Sequence, residues 1–93
     1  MLTRCPVCMT DPGFEPWQGD EASFEVCPGC GIQFGYNDAR PDLRAEIYVA
    51  WREEWFGNGR RPLEGAEWHE VSRRVTARAL ARKSAGSWTD RTR

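Results

Sequence analysis

The spacing of apolar positions changes near residue 40. Before it, Phe24 and Val26 alternate with Ser23 and Glu25, and Ile32, Phe34 and Tyr36 alternate with Gln33 and Gly35. A period of two marks a half-buried strand, so two short strands flanking the Cys27 to Cys30 turn predict a hairpin. Asp11-Pro12-Gly13 and Gln18-Gly19-Asp20-Glu21 carry turn residues, and Phe14 to Trp17 between them is a further candidate strand, which Pro16 restricts to a sheet edge. After Arg40 the period lengthens. Leu43, Ile47, Trp51 and Trp55 recur every four residues, behind a Pro41 and Asp42 that suit the first turn of a helix. Gly57-Asn58-Gly59 and Pro62 end that helix. Trp68, Val71, Val75 and Ala79 then share one face of a second helix, from Glu64 to Lys83, that is expected to pack on the first.

These elements predict one domain over residues 1–84, with a cysteine-rich part over 1–38, helices over 41–56 and 64–83, and a flexible tail over 85–93. A chain of 93 residues buries only about 60–70% of its unfolded surface, and nine Gly and six Pro add to the entropy lost on ordering it. Some staple is therefore expected. No apolar run follows Arg4 and none approaches the length of a membrane span, so the chain is expected to be cytoplasmic, where cysteines stay reduced.

The four cysteines supply the staple. Cys5-Pro6-Val7-Cys8 and Cys27-Pro28-Gly29-Cys30 are two C-x-x-C pairs with 18 residues between them, a spacing that suits a four-thiolate zinc site. A two-residue spacer folds into a turn whose N–H groups point at the first sulfur while both sulfurs face one ion. Gly31 after the second pair is free to take a positive φ; Met9 stands at the matching place in the first, which is expected to be less regular. Four thiolates fill a tetrahedral ion, so the metal is expected to be structural Zn2+, with a rubredoxin-like iron as the alternative. The expected fold is α+β: a small zinc-ribbon or rubredoxin-like knuckle on a short antiparallel sheet, followed by two helices packed on each other and on Phe24, Phe34 and Tyr36.

The run Ser23-Phe24-Glu25-Val26-Cys27-Pro28-Gly29-Cys30-Gly31-Ile32-Gln33-Phe34, taken with Cys5-Pro6-Val7-Cys8 and Asn37-Asp38, resembles the small bacterial cysteine-rich CPCC-type proteins. Val7 stands where that family carries a third cysteine of the first motif, and the likeness covers only about the first 38 residues. The resemblance implies a protein-binding role, of the kind suggested for immunity proteins of toxin systems.

Charge divides the chain. Residues 11–70 carry 13 acids against five arginines, whereas residues 71–93 carry seven basic groups against Asp90. Arg74, Arg78 and Arg82 fall on one helical stripe with Arg73 and Lys83 nearby, a pattern able to neutralise phosphates, which makes nucleic acid an alternative partner. Pairing of these cations with Glu53, Glu54 or Glu70 is the simpler expectation. Trp51, Trp55 and Trp68 fall on buried faces, whereas Trp17 and Trp88 have no face to cover them and are candidate protein contacts. His69, the sole histidine, is not needed as a ligand, and no catalytic triad, phosphate loop or metalloprotease helix is present. The expectation is a non-catalytic metal-binding protein acting as an interaction module.

Overall fold

The computed structural model describes residues 4–91, with side chains described through Ser84. The elements in chain order are β1 (Trp17–Gln18), β2 (Glu21–Ala22), α1 (Arg44–Gly57) and α2 (Ala66–Arg91). The sheet is a two-stranded antiparallel hairpin with Trp17 opposite Ala22 and Gln18 opposite Glu21. Its turn is Gly19-Asp20, and Gly19 supplies the positive φ of 61° that a tight hairpin needs at its first central residue. With the two helices packed together beside the cysteine turns, the architecture is the expected α+β.

The ladder forms earlier in the chain than alternation predicts. Around Cys27–Cys30 it is reduced to a single antiparallel bridge, Val26 with Gln33. Phe24 takes a left-handed φ of 60°, which interrupts the pleat and leaves Phe24 64% and Val26 50% exposed. On the return segment Ile32 and Phe34 are buried, but the chain turns at once, with the N–H groups of Tyr36 and Asn37 both donating to the Gln33 carbonyl. Tyr36 is thereby 61% exposed, its ring stacked on Trp68 at a centroid distance of 5.6 Å. Of the three aromatics expected beneath the helices, only Phe34 is buried; Phe24 and Tyr36 lie on the surface.

Both helices present the expected faces. Leu43, Ile47, Ala50 and Trp51 are buried along the first and Val71, Val75 and Ala79 along the second. Leu43 sits in a tight turn before α1, its N–H on the Arg40 carbonyl, and the helix ends where Asn58, Gly59 and Arg60 turn the chain, the last two at φ of 70° and 61°. Helix α2 begins two residues after Glu64 and continues past Lys83. Glu53 and Glu54 tie α1 to α2 by pairing with the arginines of the second helix, as the simpler expectation for that stripe has it. Glu54 accepts from Arg74 and Arg78 at 2.8–3.1 Å, and Glu53 from Arg78 and Arg82 at 3.1 Å. The hydrogen bond from Arg74 holds the Glu54 carboxyl below the usual carboxylate range, and that from Arg82 does the same for Glu53.

A second polar tie joins the hairpin to α1. Asp38 is fully buried and accepts three hydrogen bonds: from the Trp17 indole at 2.9 Å, the Tyr48 hydroxyl at 2.6 Å and the Gly35 N–H at 2.6 Å. Burial and the neighbouring Asp38 push the Tyr48 hydroxyl to a pKa well above the usual tyrosine range. Next to it Asn37 accepts from the Gln33 N–H and donates to Ser72 of α2. Asp38→Ala leaves the Trp17, Tyr48 and Gly35 donors without their acceptor, and a loss of about 3 kcal/mol in urea denaturation is expected, against about 1 kcal/mol for Tyr48→Phe.

Candidate metal centre

The two cysteine turns have the same backbone. In each, the N–H of the first cysteine donates to the carbonyl five residues on, Cys5 to Thr10 at 2.9 Å and Cys27 to Ile32 at 2.8 Å. The residue after the second cysteine donates back to the first cysteine's carbonyl, Met9 to Cys5 at 2.8 Å and Gly31 to Cys27 at 2.9 Å. The middle N–H points at sulfur, Val7 to Cys5 Sγ and Gly29 to Cys27 Sγ, both at 3.4 Å. Both turns close on a positive φ, 66° at Met9 and 88° at Gly31. The first turn is thus as regular as the second, contrary to the expectation for Met9. Its side chain is 56% exposed, so strain of about 1 kcal/mol in the left-handed region is its whole cost. At Gly31 a Cβ would collide with the Leu63 carbonyl oxygen, so no larger residue fits there.

These turns bring the sulfurs together. All four Sγ atoms lie within 4.8 Å of one another. Two of the separations cross between the turns, Cys5 to Cys30 at 3.7 Å and Cys8 to Cys27 at 3.6 Å. A tetrahedron of sulfurs about 2.3 Å from a central ion has edges of about 3.8 Å, so the cysteines are positioned to coordinate a metal ion. Crowding makes their titrations interdependent. Hydrogen bonds from Cys30 and Cys5 draw Cys27 down to about 2, whereas Cys5 is pushed up to about 12, first by Cys27, and Cys30 is pushed up by Cys27, Cys5 and burial. A metal ion held by such a cluster displaces thiol protons as it binds.

With their N–H groups aimed at sulfur, the turns direct carbonyls toward the helices, which supply donors. Three indoles reach three consecutive carbonyls of the second turn: Trp55 to Gly29 at 2.9 Å, Trp51 to Cys30 at 3.0 Å and Trp68 to Gly31 at 2.7 Å. Arg52 spans the first turn, donating to the Pro6 carbonyl at 2.6 Å and the Val7 carbonyl at 2.7 Å. The periodicity placed these tryptophans at the core but did not reveal this second role. The available signal was chemical, since a buried indole N–H needs an acceptor and no side chain on the helix faces offers one.

The other candidate residues are placed as follows. Trp17, expected as an exposed contact, is half-buried, with its indole held by Asp38 and its ring covered by the Arg44 guanidinium at 4.0 Å. Trp88 lies outside the residues whose side chains are described. Arg74, Arg78 and Arg82 face Glu53 and Glu54, and Lys83 donates to the Asp42 carbonyl at 2.8 Å. Arg73 is exposed and has no ion pair among the described residues. His69 is exposed, its ring edge-on to Trp68 at 5.1 Å and apart from the sulfur cluster.

The carbonyl contacts have a measurable consequence. Trp55→Phe keeps an aromatic ring but removes the donor to Gly29, and metal affinity is expected to fall by about tenfold in competition with a chelating dye. Arg52→Met is expected to act similarly on the first turn.

Among the described residues no helix is long and apolar enough to cross a membrane. Comparison with protein-family models, curated proteins and solved structures gave no match, so the reading of this centre rests on its four thiols, their separations and the groups that hold them.

Proposed function

We propose that the chain is a non-catalytic cytoplasmic module in which Cys5, Cys8, Cys27 and Cys30 hold a structural zinc ion and the ribbon face binds a protein partner. The observation that carries the protein-binding reading is the exposed aromatic patch on an acidic surface. Phe24, Val26 and Tyr36 are each at least half exposed, and Tyr36 continues through its stacking onto Trp68. From Cys5 to Ala39 the chain has six acids and no Lys or Arg, so the patch sits in a negative field. Exposed aromatics amid like charge suit a protein surface carrying complementary cations. The resemblance of the first 38 residues to CPCC-type proteins agrees with this role. A structural role for the ion is favoured because four thiolates make a closed tetrahedral set, which leaves no coordination position for an activated water.

Nucleic-acid binding draws less support. Arg74, Arg78 and Arg82 are engaged by Glu53 and Glu54, leaving Arg73 and Lys83 as the more accessible cations of that stripe.

Elemental analysis of protein purified without added metal is expected to give one zinc per chain, with loss of ellipticity on chelation; iron in its place would move the question to electron transfer. Phe24→Ser with Tyr36→Ser is expected to preserve the circular dichroism spectrum and abolish capture of a partner that the wild type retains. Equal capture by both proteins would remove the aromatic patch from the interface. On heparin, Arg74→Glu with Arg78→Glu is expected to leave retention at low salt unchanged, and a marked loss of retention would favour the phosphate-binding alternative.

A further inference from the structure

The four cysteines differ in exposure. Cys5, Cys27 and Cys30 are fully buried, whereas Cys8 retains 8% of its surface. Beside Cys8 lie two small groups. Thr10 is exposed and its Oγ1 is 3.0 Å from Cys8 Sγ, and Gly29 has no side chain where a Cβ would stand 3.0 Å from the same sulfur. The residue matching Gly29 in the first turn is Val7, which is fully buried. The side of the centre beside Cys8 and Gly29 is thus the less crowded one. Cys8 Sγ faces the sulfur of Cys27 at 3.6 Å, across the turns.

We propose that Cys8 is a peroxide-reactive site, and that its oxidation closes a Cys8–Cys27 disulfide that dismantles the metal centre. The proposal rests on the metal-site reading above. The oxidant is hydrogen peroxide, approaching beside Gly29. Cys8 sulfur attacks the terminal oxygen, an S–O bond forms as the O–O bond breaks, and the leaving hydroxide takes a proton from solvent to give water. Cys27 thiolate then attacks the Cys8 sulfenic sulfur, forming the S–S bond as the S–O bond breaks, and the second hydroxide leaves as water after protonation. Two thiolates lose two electrons and one peroxide becomes two waters. Cys5 and Cys30 remain as two ligands, too few to retain the ion. A dithiol reductant reverses the exchange. The Thr10 hydroxyl lies 3.0 Å from Cys8 Sγ, where, donating to the thiolate form, it withdraws charge from the sulfur and restrains the reaction.

The test treats the metal-loaded protein with limiting hydrogen peroxide, quenches with an alkylating agent and maps disulfides by mass spectrometry while a metal-sensitive dye records release. The expected first product is a Cys8–Cys27 bond, appearing together with metal release and reversed by a dithiol. A first bond within either turn, between Cys5 and Cys8 or between Cys27 and Cys30, overturns the proposal, as does release with no disulfide. Gly29→Ala, which narrows that approach, is expected to slow release at least about threefold, and Thr10→Val, which keeps the shape and removes the donor, to speed it by about threefold. Because Gly29→Ala also crowds the site, Thr10→Val decides where the former fails to load metal; an unchanged rate there overturns the proposed restraint on Cys8. Protein that purifies without metal would refute the metal reading, and the disulfide map would still decide which sulfurs pair.

Discussion

A cysteine turn that aims its N–H groups at sulfur must aim carbonyls elsewhere, and buried carbonyls need donors. Most of this molecule answers that requirement. The carbonyls of Gly29, Cys30 and Gly31 meet the indoles of Trp55, Trp51 and Trp68, and those of Pro6 and Val7 meet the Arg52 guanidinium. The bonds polarise the peptide groups in the sense that places positive ends toward the sulfurs, which opposes the negative charge that thiolates gathered at a metal site would carry. Arg52, a cation fixed against the first turn, acts in the same direction. Helix α1 therefore serves the centre through two side chains on its buried face and a third between them in sequence, and α2 adds one more.

The same contacts make the helices dependent on the turns. Trp51 is fully buried, and without the Cys30 carbonyl its indole N–H would be enclosed with no acceptor, a penalty of about 1–3 kcal/mol. Leu63 reinforces the dependence, since its N–H also donates to Cys30 and its backbone lies against Gly31 so closely that no Cβ fits between them. The sulfur cluster, the linker between the helices and both helix faces thus form one cooperative unit. Charge is arranged to support this. Glu53 and Glu54 absorb three of the arginines that make the end of the chain basic, so an apparent surface stripe becomes a brace between α1 and α2.

What the sequence reveals is what depends on spacing. The pairs Cys5 with Cys8 and Cys27 with Cys30, and the stripes through Ile47 and Trp51 and through Val71, Val75 and Ala79, are legible because each repeats at an interval fixed by local geometry. Strand alternation around Cys27 misled, since a single left-handed residue at Phe24 breaks the pleat and leaves both Phe24 and Val26 exposed, and nothing in the identity of phenylalanine announces a positive φ. Met9 misled for the related reason that the closed turn imposes its φ on whatever residue occupies the place. Asp38 was hidden in another way: as a loop aspartate it reads as exposed, and its burial follows from Trp17, Tyr48 and Gly35 converging from distant positions.

The exposed aromatics follow from this division of labour. Trp51, Trp55 and Trp68 occupy the space beneath the second turn with their indoles bonded to it, and Phe14 meets Phe34 edge-on at 6.1 Å on the hairpin side. Little core remains for residues on the outer side of the turn. Phe24 cannot move inward past Gly35, where even an added Cβ would lie 2.7 Å from its ring, and Tyr36 reaches Trp68 only from the solvent side. The fold therefore does not need these rings buried to satisfy its metal centre. Their exposure is thus a consequence of how the indoles and Gly35 fill the space around the second turn.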